Sequence, residues 1–74
     1  MNSLGIAELQ EYVQRVYRND ESLTDLDLNN KNIDDIGAIS LAQALRVNTT
    51  LTGISLRDNS ISDDGATALA EALH

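Results

Sequence analysis

Apolar residues fall along this chain in two rhythms that alternate. Leu23, Leu26 and Leu28 trace L-x-x-L-x-L, the frame of a short strand with one buried face. Ala38, Leu41, Ala42 and Leu45 then stand at i, i+3, i+4 and i+7, a stripe along one side of a helix. Both rhythms return, first as Leu51, Ile54 and Leu56 and then as Ala66, Leu69, Ala70 and Leu73. Leu23 and Leu51 are 28 residues apart. The same offset pairs Ile33 with Ile61, Asp35 with Asp63, Gly37-Ala38 with Gly65-Ala66 and Ala44-Leu45 with Ala72-Leu73. The chain therefore reads as a strand–helix unit written twice.

A strand, a helix and a second strand one period later predict parallel strands joined by a right-handed crossover. Such units cannot bury their apolar faces singly, so they stack into a solenoid with strands on the inner side and helices outside. The expected class is α/β. Asp34 or Asp35, and Asp63 or Asp64, stand where a helix start favours an acceptor and negative charge. Gly37 and Gly65 allow a close approach of helix and strand. Ahead of the repeats, Ile6, Leu9, Val13, Val16 and Tyr17 form a helical apolar stripe, which places Tyr17 in the core. The predicted organisation is a single domain: a cap helix and loop over residues 1–22, a first repeat over 23–50 and a second over 51–74.

The pattern L-x-x-L-x-L-x-x-N, followed by a helix reading G-A-x-x-L-A-x-A-L, resembles the ribonuclease-inhibitor-like class of leucine-rich repeats. Leu51 to Leu73 follows that pattern, with Asn59 at the position whose side chain ladders between turns. Leu23 to Leu45 departs from it: Lys31 holds the asparagine position, and Asn30 or Asn32 is the substitute. Within the class, Asn19-Asp20-Glu21-Ser22-Leu23-Thr24, Leu28-Asn29-Asn30 and Val47-Asn48-Thr49-Thr50-Leu51 are similar to the tropomodulin and leiomodin repeat domain. That narrower likeness implies a cytoskeletal role with actin as partner. The class also serves innate sensors and GTPase-activating proteins, and so fixes no single partner.

Composition narrows the chemistry. There is no cysteine, and the sole histidine is His74, the last residue, so thiolate or histidine-rich metal sites and a positioned nucleophile–base pair are excluded. Asp25, Asp27 and Asn29 have the spacing of an EF-hand start, but Asn30 and Ile36 stand where that loop needs glycine and a bidentate carboxylate. No phosphate-binding glycine loop is present. We expect no enzyme and no cofactor. A formal net charge of -7 disfavours nucleic acid and anionic membranes and leaves basic protein surfaces as partners. The N-terminus lacks the basic and apolar regions of a signal peptide, so the expected setting is cytoplasmic and the sequon Asn48-Thr49-Thr50 is incidental.

The expected function is protein–protein recognition. With the leucines inward, Asp25, Asp27 and Asn29 project from the first strand and Ser55 and Arg57 from the second, with Asn30 and Asp58 just beyond. These positions are either the solvated side of a sheet or, taken together, the contact surface for a partner. A second reading makes the chain a structural or self-assembling unit: a fragment of a longer repeat protein, a self-associating small protein or a designed repeat. Here Leu56, Ile61 and Leu69 are left incompletely covered and form a homodimer surface at the uncapped end.

Overall fold

The structure, a computed structural model, describes residues 5–73. Met1 to Leu4 and His74, the residues behind the signal-peptide and histidine readings, lie outside the described residues. The elements are α1 (Ile6–Tyr17), β1 (Asp25–Asp27), α2 (Asp35–Val47), β2 (Gly53–Ser55) and α3 (Asp63–Leu73). β1 and β2 pair in parallel with Asp25 opposite Gly53, Leu26 opposite Ile54 and Asp27 opposite Ser55. Each pair is separated by the 28 residues of the repeat, so the sequence period is also the strand register. α2 packs between α1 and α3, and the core lies between this helical layer and the sheet.

The repeating apolar positions of the first repeat are buried. Leu26, Leu28, Ala38, Leu41, Ala42 and Ala44 are all 2% exposed or less, and Leu23, Ile33 and Leu45 are also buried. The second repeat carries the same residue types with one neighbour fewer among the described residues. Leu51, Ile54, Leu56 and Ile61 are only half-buried, and Ala66, Ala70 and Leu73 are exposed. Leu45 is 8% exposed whereas its counterpart Leu73 is 54% exposed. The predicted α3 stripe is therefore corrected. Gly65 and Leu69 are the buried residues of α3, with Ala68 and Ala72 packed against the core. Leu69 itself is covered, at 9% exposure, contrary to the expectation that it lies open. The reason is rotational: Leu69 faces back towards α2, and the residues a further repeat would cover are Ala66, Ala70 and Leu73.

The cap helix is corrected in the same way. Val16 is its buried residue, with Leu9, Tyr12 and Val13 packed beside it, while Ile6 is 81% and Tyr17 46% exposed. Val16 and Tyr17 are neighbours in sequence and point about 100° apart on a helix, so only one can enter the core. The smaller residue does, and Tyr17 lines a shallow groove between α1 and α2 with Gln10, Val13 and Ser40.

Two glycines set the helix spacing. A Cβ on Gly37 would lie 2.9 Å from Leu9 Cδ2, and one on Gly65 would lie 2.8 Å from Ile61 Cγ2 and 3.1 Å from Ala38 Cβ. The close approach is thus helix to helix and helix to loop, rather than helix to strand as expected. Capping also divides more finely than the paired aspartates suggest. Asp34 is the N-cap of α2, accepting from Gly37 N at 3.0 Å. At α3, Ala66 N donates to Ser62 O, so Ser62, the counterpart of Asp34, stands at the cap position, while Asp63 and Asp64 lie in the first turn.

Candidate functional site

The candidate site is the sheet face turned away from the helices. β1 shows strict alternation, with Leu26 buried between exposed Asp25 and Asp27. The register then sets Asp25 beside Gly53 and Asp27 beside Ser55. A Cβ on Gly53 would come within 2.6 Å of Asp25 Oδ1, so the Asp25 carboxylate leans over the space a side chain there would fill. Asn29 continues the face and reaches across it: its Oδ1 accepts from Ser55 Oγ at 2.6 Å and Arg57 N at 2.7 Å. Asn30 and Asp58, one period apart, both take left-handed backbone, with φ of 56° and 59°. Asparagine and aspartate tolerate that region better than other residues with side chains, which ties both to the turn that ends the strand segment.

The seven residues expected on the face lie on β1, β2 and the turns that follow them; the Asn30 amide donates to Arg57 O at 2.9 Å, and the other six divide by role. Asn29 and Ser55 have polar groups committed to holding one repeat against the next. Asp25, Asp27, Arg57 and Asp58 are exposed and present an acidic surface with one cation. Of the three residues expected at the open end, Leu56 and Ile61 are half-buried and Leu69 is buried.

Beneath the face runs a polar ladder. Asn59 Oδ1 accepts from Lys31 N at 3.0 Å and Ile33 N at 2.8 Å, and its Nδ2 donates to Leu28 O at 2.8 Å and Leu56 O at 3.0 Å. Asn59 of the second repeat thus serves the first repeat's turn as well as its own, while Asn32 Oδ1 accepts from Ser60 Oγ at 3.4 Å across the repeats. A second rung, not anticipated from the sequence, lies on the other side of the core. Asn48 Nδ2 donates to Val16 O at 2.8 Å, and its Oδ1 accepts from Thr50 N and Leu51 N. Asp20 occupies the same place one period earlier, accepting from Ser22 N at 2.9 Å and from Arg15 Nε at 2.7 Å. The signal was present in the 28-residue offset between Asp20 and Asn48 and between Ser22 and Thr50.

Asp35, offered beside Asp34 for the start of α2, lies in its first turn and also binds across the repeats. It accepts from Ser62 N at 2.7 Å and from the Ser62 hydroxyl. The Ser62 hydroxyl foremost, then the Ser62 amide, holds the Asp35 carboxyl below the usual carboxylate range. Asp20 is lowered well below that range, first by the Ser22 hydroxyl and then by the Arg15 guanidinium. Both pKa values are depressed in the fold, so the stabilisation is complete above the ordinary carboxylate value near ~4 and is lost progressively as pH falls from there through the lowered folded values. The urea midpoint is therefore expected to hold level from neutral pH to about 5 and to fall below about 4. Ser62→Ala should make that acid slope shallower; an unchanged slope would show that Asp35 does not report on repeat stacking.

Among the described residues no group of histidine, cysteine, aspartate or glutamate side chains is placed to hold a metal ion. No described helix is long and apolar enough to cross a membrane. Compared with known families, residues 19–42 and 47–70 each match a model described as a leucine-rich repeat. The two matched segments begin 28 residues apart, the offset that sets the strand register. No curated protein matches the chain.

Proposed function

The chain belongs to the leucine-rich repeat family, and from that premise we propose that it is a non-catalytic protein-recognition module holding its partner on the exposed face of the sheet. The observation that carries this reading is the division of labour on that face. Asn29 and Ser55 lock neighbouring repeats together, so Asp25, Asp27, Arg57 and Asp58 are displayed on a backbone that does not have to order on binding. A preorganised surface loses less entropy on association than a mobile loop. Its charge balance suits a partner with a basic patch, and electrostatic complementarity of this kind acts chiefly on specificity and on the rate of encounter.

The period of 28 and the Asn59 ladder support the ribonuclease-inhibitor-like class, with a cap over residues 1–22 and units over 23–50 and 51–74. A tropomodulin-like role rests on the segments Asn19–Thr24, Leu28–Asn30 and Val47–Leu51 and makes actin the specific candidate. The structure adds a reason for those segments to be shared, since Asn19, Asp20 and Asn48 are turn-forming rungs. Such a role concerns stacking as much as partner choice.

The test is a titration followed by amide chemical shifts, first with actin and then with a small basic protein. Shifts should concentrate on residues 25–30 and 53–58. Asp25→Lys with Asp27→Lys should weaken binding about tenfold, since two rim charge pairs at up to ~1 kcal/mol each are reversed. Shifts confined to the helical side, or an affinity indifferent to the reversal, would sink the strand-face reading. Normal co-sedimentation of the wild-type chain with actin filaments would support the cytoskeletal reading, and its absence at high micromolar concentration would end it.

A further inference from the structure

The helical side of the molecule carries apolar residues that the stacking of repeats does not explain. Ile36 is 76% and Ile39 38% exposed, although both stand on α2, which has α1 on one side and α3 on the other. A repeat added before α1 or after α3 would stack beside those helices and reach neither residue. Polar residues serve at the same positions elsewhere: Glu8 and Glu11 one period earlier, Asp64 and Thr67 one period later, all four exposed. Ile36 also lines a hollow of about 220 Å³ between the first turns of α1 and α2, together with Ile6, Leu9, Gly37 and Asp34. The hollow continues along the crease between the two helices, past Gln10 and Ser40, to a second one at Val13 and Tyr17. From Ile6 to Tyr17 the crease follows the whole of α1, roughly 16 Å or about three turns.

We propose that this crease docks an amphipathic helix of another protein, with its apolar stripe on Ile6, Ile36 and Tyr17 and its lysines or arginines over the helix starts. Charge selects this occupant. The first halves of the three helices and the cap of α2 carry Glu8, Glu11, Asp34, Asp35, Asp63 and Asp64, and no lysine or arginine. A helix start contributes only about half a positive charge, so three of them leave this end strongly negative. The arginines Arg15 and Arg46 lie in the last turns of α1 and α2, at the other end of the crease. A basic partner is therefore attracted to the Ile36 end, whereas a second copy with its own -7 and an anionic membrane are repelled. The backbone selects the form. α1 and α2 bond their amides and carbonyls internally, so an extended segment would find no strand edge to pair with. A helix needs none, and lays a ridge of side chains into the crease.

The test uses a synthetic peptide about three turns long, with leucine along one side and lysine along the other, and a second of the same composition with its leucines scattered. The first should bind, and its amide shifts should gather on residues 6–10 and 34–40. Scattering the leucines should weaken binding about tenfold or more, and Ile36→Asp about tenfold, through the loss of apolar contact. Ile36→Asp should keep its far-ultraviolet circular dichroism spectrum, because Ile36 is exposed and α3 carries Asp64 at the same position. Raising the salt to ~0.3 M should weaken binding several-fold, because opposite charges are screened. Asp25→Lys with Asp27→Lys should leave the shifts where they are, so this contact and the strand-face reading fail separately. Equal binding of the two peptides would mean charge attraction alone and would overturn the proposal, as would an Ile36→Asp variant that binds like wild type. Another occupant would overturn it too. A mass that doubles with concentration and no longer does in Ile36→Asp would assign the crease to a second copy. Capture by zwitterionic phospholipid vesicles, lost in the same variant, would assign it to lipid. A peptide affinity raised about tenfold by deleting residues 2–4 would assign it to the chain's own N-terminus.

Discussion

Asn59→Ala is expected to destabilise the fold by about 2–4 kcal/mol, because unsatisfied buried polar groups cost about 1–3 kcal/mol each. The side chain is the acceptor for two amides of the first repeat, Lys31 N and Ile33 N, and a donor to Leu28 O and Leu56 O. All these bonds are part-buried, so water cannot replace them fully. A domain of this length holds roughly 4–11 kcal/mol in total, so the loss is a large share of what keeps it folded. In a thermal melt the midpoint should fall by about 10–25 °C. Asn59→Asp is the sharper variant. It keeps an acceptor for the two amides but sets a carboxylate against the Leu28 and Leu56 carbonyls, and should be nearly as damaging. A midpoint within a few degrees of wild type for Asn59→Ala would mean that the rung is not what joins the repeats.

Leu41→Ala should cost about as much, roughly 3–4 kcal/mol, by lost transfer energy and the cavity left behind. Leu41 is fully buried, at 0% exposure, on the middle helix of three. α1 and α3 flank it, so the site cannot collapse easily. Leu69 is the same residue one period later and is 9% exposed, with α2 on one side of its helix and no described helix on the other. Leu69→Ala is therefore expected to cost less, about 2 kcal/mol, at the low end of the range for such truncations. Urea denaturation of both variants at low protein concentration gives the difference directly. Equal losses would show that Leu69 is as well packed as Leu41.

Much of this fold was legible because the repeat states each position twice. A leucine at 23, 26 and 28 is weak evidence alone; the same frame at 51, 54 and 56, with Ile33, Ala38, Leu41, Ala42, Ala44 and Leu45 all matched one period later, defines a strand–helix unit and its parallel pairing. The ladder asparagine was implied by the resemblance to leucine-rich repeats, which sets Asn59 at the laddering position. The polar face of the sheet followed from alternation on β1, where Asp25 and Asp27 must lie opposite Leu26.

Other features needed the three-dimensional arrangement. Tyr17 and Val16 both satisfy an apolar stripe on paper, and only the seating of α1 on α2 shows that Val16 enters the core. Of Asp34 and Asp35, both offered for the start of α2, Asp34 is the cap and Asp35 also bridges to Ser62, because a sequence does not show which side chain faces the neighbouring repeat. The α3 stripe was assigned by analogy with α2, and the analogy fails because, among the described residues, α2 has a helix on each side and α3 on one.

The sequence alone thus determined the local periods, the register between strands and the polarity of each face. These follow from backbone geometry, in which a strand alternates every two residues and a helix turns every 3.6. Only the tertiary structure decided which side of each helix is covered, which polar side chains spend their bonds between repeats, and which apolar residues remain open. Those depend on how many neighbours a unit has, and a period repeated along a chain says nothing about what stands beside its last copy.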